Sequence, residues 1–583
     1  MKNQYFSLIS FILTILIAFL FNCPILSQNP RQSVINVSNI TSWVSEEGFH
    51  DWVVSKMWNG AYPIGSLNGV IFSEGICWGG LVYDGHSPVV RVNGNIYRTG
   101  CSPITRLFRV RYDYFTADLT DDAASFFNKN KNDVTDEDIK AIKDQYEKDW
   151  NEWPADKGAP YFDEDKDGKY NPDVDVPGVP GALQTIWINY NDALSASNYG
   201  SIPIGLEVQE TYWAYTNQDP IGNVIYKKVD LIYKGTSASS PDSRIDSMYI
   251  TQWSDPDIFS AYNDLAGSDT TLNLGYVYND PYETVIYPPP YHQSAGYTFL
   301  QGVTKFTGNN SDSAVFNFKW RNGYKHINNK PLAGFSYYQP WDVEDIYFND
   351  YSLALRVFNI MRGYLPVPLY PNSKLYPSTI ADYTNNGTYL VTGDPVTGTG
   401  KIDGIVDKAG DRRIWLMSGP FSLNLGDTVE VAIALVGGIG EDDLTSITQL
   451  KNNTYAANLF YNYFIEDMTA GTVDVPPPDR PKSNFLPDSY VLYQNYPNPF
   501  NSITRIKYDL PEDAFVNLTV YDVLGNKVKV LVNENQPAGK YNVPFDAGDL
   551  SSGVYFYRIM FNNLSNKQVF DKLNKTMKLV LIK

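Results

Sequence analysis

Cysteine is scarce in this chain of 583 residues. Three cysteines are too few for a disulfide-stapled scaffold or for a protein built around several zinc ions. Histidine is almost as rare: His50, His86, His292 and His326 lie far apart, which leaves little basis for a His-rich catalytic metal centre. Positive charge is also short, with 46 Lys and Arg against 65 Asp and Glu and a net charge of −19. That balance excludes sequence-independent nucleic-acid binding, which needs clustered cations to displace counterions, and argues equally against docking on an anionic membrane. Beyond the first thirty residues no apolar run is long enough to span a bilayer. There is no G-x-S-x-G elbow, H-E-x-x-H helix, Walker loop or G-x-G-x-x-G turn. The lack of a fixed-period repeat excludes a propeller or solenoid.

Aromatic residues are plentiful, at 15% with 44 Tyr and 12 Trp, and suit strands and half-wet faces better than helical bundles. The chain opens with Lys2 and an uncharged apolar run from Phe6 to Phe21, followed by Pro24 and a small residue at Ser27. This is the form of a secretory signal peptide over residues 1–27, and the run is short for a membrane anchor. Cys23 is an ordinary residue here, because Leu20, Phe21 and Asn22 put bulk where a lipoprotein signal wants a small side chain. Export leaves Cys77 and Cys101, which can pair in an oxidising compartment or remain as two buried thiols. Length allows several domains.

Residues 28–474 read as a β-rich body with room for two intertwined sandwiches. Leu206–Tyr215, Val224–Tyr233 and Ile245–Trp253 alternate apolar and polar residues at strand period. Val429–Val436 is continuously apolar, as expected of a central strand covered on both faces. Two minor helices interrupt the pattern. Thr135 and Asp138 cap one that runs through Tyr146 and Trp150 and ends before Pro154. The other spans about Leu444 to Tyr463, with Ile447, Leu450, Tyr455, Leu459 and Phe460 as its apolar side. Residues 475–488 open on Val475-Pro476-Pro477-Pro478 and read as a stiff, extended linker.

Residues 489–583 read as a small antiparallel sandwich, with strands at Ile503–Leu510, Phe515–Tyr521, Lys527–Val532, Lys540–Phe545, Val554–Phe561 and Met577–Ile582. The run Gln494-Asn495-Tyr496-Pro497-Asn498-Pro499-Phe500-Asn501 resembles the opening of a type A sorting domain of the type IX secretion system of Bacteroidetes, Ignavibacteria and relatives. The similarity continues through Thr504–Pro511, Val520–Gly525, Leu550–Tyr557 and the closing Met577–Lys583, with an extra polar stretch at Ser565–Lys575. The resemblance implies an Ig-like sandwich, passage through the periplasm, recognition by the type IX machinery, and release from or attachment to the outer cell surface. The body in turn resembles surface proteins that carry the same domain, in Asp149–Pro160, Trp253–Asp257, Gly393–Gly400 and Gly410–Phe421. That resemblance implies a location and no activity. The fold class expected overall is all-β, with multi-domain sandwiches.

Three constellations can carry chemistry. In the run Asp163 to Asp175, carboxylates at Asp163, Asp165 and Asp167 precede Gly168 as in an EF-hand-like loop, where alternate oxygens converge on Ca²⁺. The Lys169 carbonyl, Asn171, and Asp173 or Asp175 would complete the shell, since Val174 holds the twelfth position. Asp255, Asp257, Asp264 and Asp269 can cap turns, hold a second cation or supply a carboxylate pair for glycoside hydrolysis. Within Gly410-Asp411-Arg412-Arg413, an Asp–Arg pair can pin the strand that follows, or Arg412 can read a ligand carboxylate. Trp58, Trp78, Trp187 and Trp213 can stack on sugars or fill a core. The sequence therefore favours a structural or adhesive surface protein with a calcium-stabilised loop rather than an enzyme. The alternative is a polysaccharide-binding or glycoside-hydrolysing protein. A surface glycan or another protein would be the external ligand.

Overall fold

The computed structural model describes residues 32–583 except 52–59, 65–68, 97–99, 128, 193–198, 217, 219, 259–261, 282–291, 328–333, 339–349, 385–386, 406–407, 474–488, 513, 537–538 and 564–570. The expected signal peptide, Trp58 and the expected Pro-rich linker lie outside the described residues.

Two large sheets make the body. One, of ten strands, runs in the order Asp264–Asp269, Leu274–Asn279, His292–Phe306, Thr428–Gly440, Val224–Tyr233, Leu206–Ala214, Gln184–Asn191 and Ser102–Pro103, with Tyr324–His326 also on His292–Phe306 and Phe108–Arg111 also on Gln184–Asn191. The other, of eight, centres on Gly334–Tyr338, Arg413–Asn424, Arg244–Asp255 and Ser73–Tyr83. Side chains from both sheets meet in one apolar cluster that includes Trp78, Ile188, Val229, Ile250, Trp253, Trp415, Val431 and Ile433. The body is thus a sandwich, and the all-β expectation holds.

The continuous apolar run in Thr428–Gly440 has a physical reason. Val429, Val431, Ile433 and Leu435 face the inter-sheet core. Ala432, Ala434 and Val436 face the other way, onto helix Asp443–Ala470. A strand covered on both faces has no solvent side on which to place polar residues. Small residues let the helix lie close: a Cβ on Gly438 would meet the Ser446 carbonyl oxygen at 2.3 Å.

That helix starts on a capping box between Asp442 and Thr445 and stops at Gly471, whose φ of 68° suits glycine. It is longer than the sequence suggested, and its buried side is Ile447, Leu450, Ala457, Tyr461, Phe464 and Ile465. Tyr455 and Leu459, expected on the apolar side, are exposed. The helix Asp136–Asn151 carries the anticipated Thr135–Asp138 box and buries Ile142, Tyr146 and Trp150. Among the described residues two further helices appear, Thr120–Phe127 and Tyr351–Met361, so the helices number four rather than two.

The C-terminal strands form a three-stranded sheet, Val491–Leu492, Ile503–Leu510 and Gly539–Asp546, and a four-stranded sheet, Lys527–Gln536, Ala514–Tyr521, Gly553–Asn563 and Asp571–Leu581. Their inward residues, among them Ile506, Tyr508, Val516, Leu518, Phe545, Tyr557, Ile559 and Leu579, build a core drawn from residues 492–581 alone.

Candidate acidic sites and the sorting domain

The loop from Asp163 to Asp175 joins the helix at Asp136–Asn151 to strand Gln184–Asn191. It brings carboxylate oxygens of Asp163, Asp165 and Asp175 within 4.8 Å of one another. Two oxygens bound to the same calcium at 2.3–2.6 Å can be at most about 5 Å apart, so this spacing suits a shared ion. Asp175 is almost wholly buried and accepts from the backbone N–H groups of Glu164 at 3.0 Å and Asn171 at 2.6 Å. Burial pushes its carboxyl above the usual range, and Asp165 and Asp163 add to the rise. One oxygen of Asp163 takes the Gly168 N–H at 2.9 Å, while Oδ1 is buried without a donor.

The other expected ligands flank this trio. Asp165 accepts from the Asp167 N–H at 3.2 Å, Asp167 from the Lys169 N–H at 2.7 Å, and Asn171 from the exposed Asp173 N–H at 3.1 Å. Those local bonds wind the loop so that Asp163 and Asp165 face back toward Asp175.

The second and third constellations meet in space. Asp255 ends strand Arg244–Asp255 of one sheet, and Asp264 opens strand Asp264–Asp269 of the other. The Gly410 N–H donates to the Asp264 carbonyl at 3.1 Å, which brings Asp411 to the same place. Carboxylate oxygens of Asp255, Asp257 and Asp411 lie within 4.8 Å of one another. Arg413 pairs with Asp255 at 2.6 Å and with Asp411. Burial and then the Asp411 charge raise Asp257 to about 7, with Arg413 pulling the other way. Burial also raises Asp264, as do the charges of Asp257, Asp411 and Asp255. Asp269 is elsewhere: it accepts from Thr271 and pairs with Lys451 at 3.4 Å. No sequence spacing links residues 255–264 to Asp411; their meeting follows from the pairing of Arg413–Asn424 with Arg244–Asp255.

Arg412 is structural. Its guanidinium is fully buried and donates to Asp403 at 2.9 and 3.2 Å and to the Lys408 carbonyl at 2.7 Å. Asp403 also accepts from the Ala266 N–H at 2.8 Å, so the pair ties the loop before Arg413–Asn424 to the edge strand Asp264–Asp269. Arg412→Ala leaves a buried carboxylate without its cation and should lower stability by about 3–5 kcal/mol in urea unfolding. An unchanged midpoint would contradict that role.

The remaining candidates are also placed. Trp78, Trp187 and Trp213 are wholly buried and belong to the core. Cys77 and Cys101 are buried thiols that form no disulfide. The Cys77 thiol contacts the Asn95 carbonyl at 3.1 Å and the Tyr199 hydroxyl at 3.0 Å, and burial pushes it up to about 12. The histidines are dispersed. His50 meets Glu210 in the core, His86 lies beside Asp84, His292 beside Asp443 and His326 beside Thr304.

Sequence reasoning did not foresee the polar group inside the sandwich. Glu210, fully buried, meets His50 at 3.4 Å and accepts from Tyr190 and, at 2.9 Å, from Tyr212. Glu74 accepts from Lys227 at 3.2 Å and from Gln252 at 3.0 Å. Isolated charged residues within strand patterns were the available signal, but only the packed sheets show which of them pair.

The fold and sites define a β-sandwich protein with acidic loops and a compact C-terminal sandwich. Residues 494–572 match the family model described as the secretion system C-terminal sorting domain. This is the type IX domain, and it exports the chain to the outer cell surface or the extracellular space. None of the curated proteins matches the chain in sequence. Among solved structures, a polysaccharide lyase aligns over 65% of this chain and 34% of its own, at 9% identity and a TM-score of 0.13. The glycoside hydrolase domain of Endo-D from Streptococcus pneumoniae R6 aligns over 64% and 36%, at 8% identity and a TM-score of 0.12. The adhesin domain of Epf from Streptococcus pyogenes aligns over 64% and 82%, at 7% identity and a TM-score of 0.12. The chain thus spans about a third of the length of the first two, and at these scores the likenesses carry no argument. No helix among the described residues is long and apolar enough to cross a membrane.

Proposed function

We propose that the chain is a structural or adhesive surface protein whose body, residues 28–474, is stabilised by calcium in the 163–175 loop and delivered by residues 489–583 through the type IX machinery. Residues 1–27 act as the signal peptide and 475–488 as the linker between body and sorting domain. The observation that carries the calcium reading is the convergence of Asp163, Asp165 and Asp175. The non-enzymatic reading is supported by how the groups of a glycan site are used. The described candidate tryptophans fill the core, and many buried acids are held by basic partners, as in Asp84–Arg91, Asp122–Arg109 and Asp403–Arg412. The external ligand is a surface glycan or another protein.

Calcium should raise the melting temperature of the body, and chelator should expose residues near 160–180 to protease. Asp163→Ala with Asp165→Ala should abolish the protease response of the loop and reduce the rise in melting temperature. Identical melting of the wild type in calcium and in chelator would leave the loop a solvated turn.

A second reading, polysaccharide binding or hydrolysis, has one observation in its favour. Asp257, raised to about 7 beside two carboxylates, has the form of a general acid. The spacing weighs against it: oxygens within 4.8 Å leave less room than the about 5–9.5 Å between the carboxyls of glycosidases. A glycan binding screen run with hydrolysis assays separates the readings. Turnover lost in Asp257→Asn would establish the enzyme.

A further inference from the structure

We infer that Asp255, Asp257, Asp264 and Asp411, with the amide oxygen of Asn279, form a second divalent-cation site of calcium type where the chain crosses from one body sheet to the other.

The ligand atoms are the starting point. Asp255, Asp257 and Asp411 each present an oxygen within 4.8 Å of the others, inside the limit of about 5 Å for two oxygens on one calcium. A cluster of acids alone would not indicate a ligand. The independent observation is Asp264, which is wholly buried. Its Oδ1 accepts from the Ile258 N–H at 3.3 Å, while Oδ2 has no donor. Asn279 stands directly opposite Asp264 in the antiparallel register, so the two side chains share a face. Its Oδ1 is likewise buried without a donor, as is Oδ1 of Asp257. Buried acceptors left without donors are rare in folded proteins and call for a bound partner. Every one of these atoms is a hard oxygen acceptor, which is the donor set of calcium and not of zinc.

Charge gives the same answer. Arg413 supplies one positive charge, paired with Asp255 and Asp411. The same Arg413 charge acts on Asp257, while Asp264 faces the charges of Asp257, Asp411 and Asp255. Among the described residues, four carboxyl groups meet one guanidinium in a mostly buried place. A water molecule could satisfy acceptors there but would not offset the charge. A divalent cation does both.

The position gives such an ion a mechanical consequence. Asp255 is the last residue of one sheet's strand, Asp264 the first of the other's, and Asp411 sits just before strand Arg413–Asn424. One ion would hold three chain segments together at the end of the sandwich. None of these residues belongs to the 163–175 loop, so the two sites stand or fall separately.

The test is calcium and terbium titration of the full chain after chelator treatment, for the wild type and three variants. The wild type should bind two equivalents. Asp163→Asn with Asp165→Asn should keep one, and Asp257→Asn with Asp264→Asn should keep the other. Asp411→Asn, the milder third variant, should weaken binding at the second site only. In chelator, Asp257→Asn with Asp264→Asn should melt at or above the wild type, because the change removes repelling charge. Retention of full stoichiometry by that variant overturns the site, as does a melting temperature in chelator below that of the wild type. If the wild type binds a single equivalent, the variant that loses it shows which site exists: loss in Asp257→Asn with Asp264→Asn upholds the second site while the loop reading fails, and loss in Asp163→Asn with Asp165→Asn does the reverse.

Discussion

Deletion of Tyr490 to Lys583 should abolish surface display while leaving a folded body in the periplasm. Among the described residues, the sorting domain builds its core from its own residues, 492–581, and no apolar cluster is shared with the body. The contacts seen between the two are polar: Tyr496 donates to the Gly181 carbonyl, and the Lys507 ammonium lies 3.5 Å from the Tyr112 hydroxyl. Their removal exposes little apolar surface, so the truncated body should unfold in urea with a midpoint close to that of the full chain. Surface labelling and fractionation read the export defect, and the urea midpoint reads the fold. Normal display of the truncated chain would refute the sorting role. A collapse of the midpoint would show that the body depends on the domain for its fold.

Glu210→Gln should cost about 3–5 kcal/mol near neutral pH, among the largest effects of any single side chain in the body. The wild-type carboxylate sits between the sheets, where burial alone would push it up. The His50 imidazole, the Lys227 charge and the hydrogen bond from Tyr190 outweigh that and hold it at about 2. Glutamine keeps the shape but removes the charge that His50 and Lys227 face. The pH dependence has a definite sign. A carboxyl whose folded value lies below its ordinary 4.5 adds stability that is fully present above 4.5 and is lost as pH falls toward 2. The wild type should therefore lose its advantage over Glu210→Gln across that window. Asp51, raised by burial and by Glu74, titrates in the opposite sense, but it is present in both proteins and largely cancels in the comparison. Urea unfolding of both at several pH values measures the gap. A gap that stays constant down to pH 2 would mean that Glu210 does not act through its charge.

Much of the architecture could be read along the chain, because strand identity is a local matter of period and turn chemistry. Val224–Tyr233 and Ile503–Leu510 have the bounds expected from alternation, and the Thr135–Asp138 capping box forms where its spacing placed it. The export signal was equally local, since the motifs from Gln494 onward lie in consecutive strands and turns of one small domain. The 163–175 loop belongs with these: its oxygens converge through bonds between residues two to eleven positions apart. What the line of residues did not reveal depends on which strand lies beside which. Asp411 reaches Asp255 and Asp257 because Arg413–Asn424 pairs with Arg244–Asp255 across more than a hundred and fifty residues, and Asp264 arrives from the other sheet. Tyr455 and Leu459 look apolar and helical in sequence, yet the strand beneath covers only the side that carries Ala457 and Tyr461. Glu210 and His50 become partners only when two sheets close over them. The sequence by itself determined the strands, the caps, the acidic loop and the sorting domain, because each is stabilised by near neighbours. The second acidic cluster, the exposed helix face and the buried charge network were decided by tertiary structure, because long-range strand pairing sets which charges share one low-dielectric space.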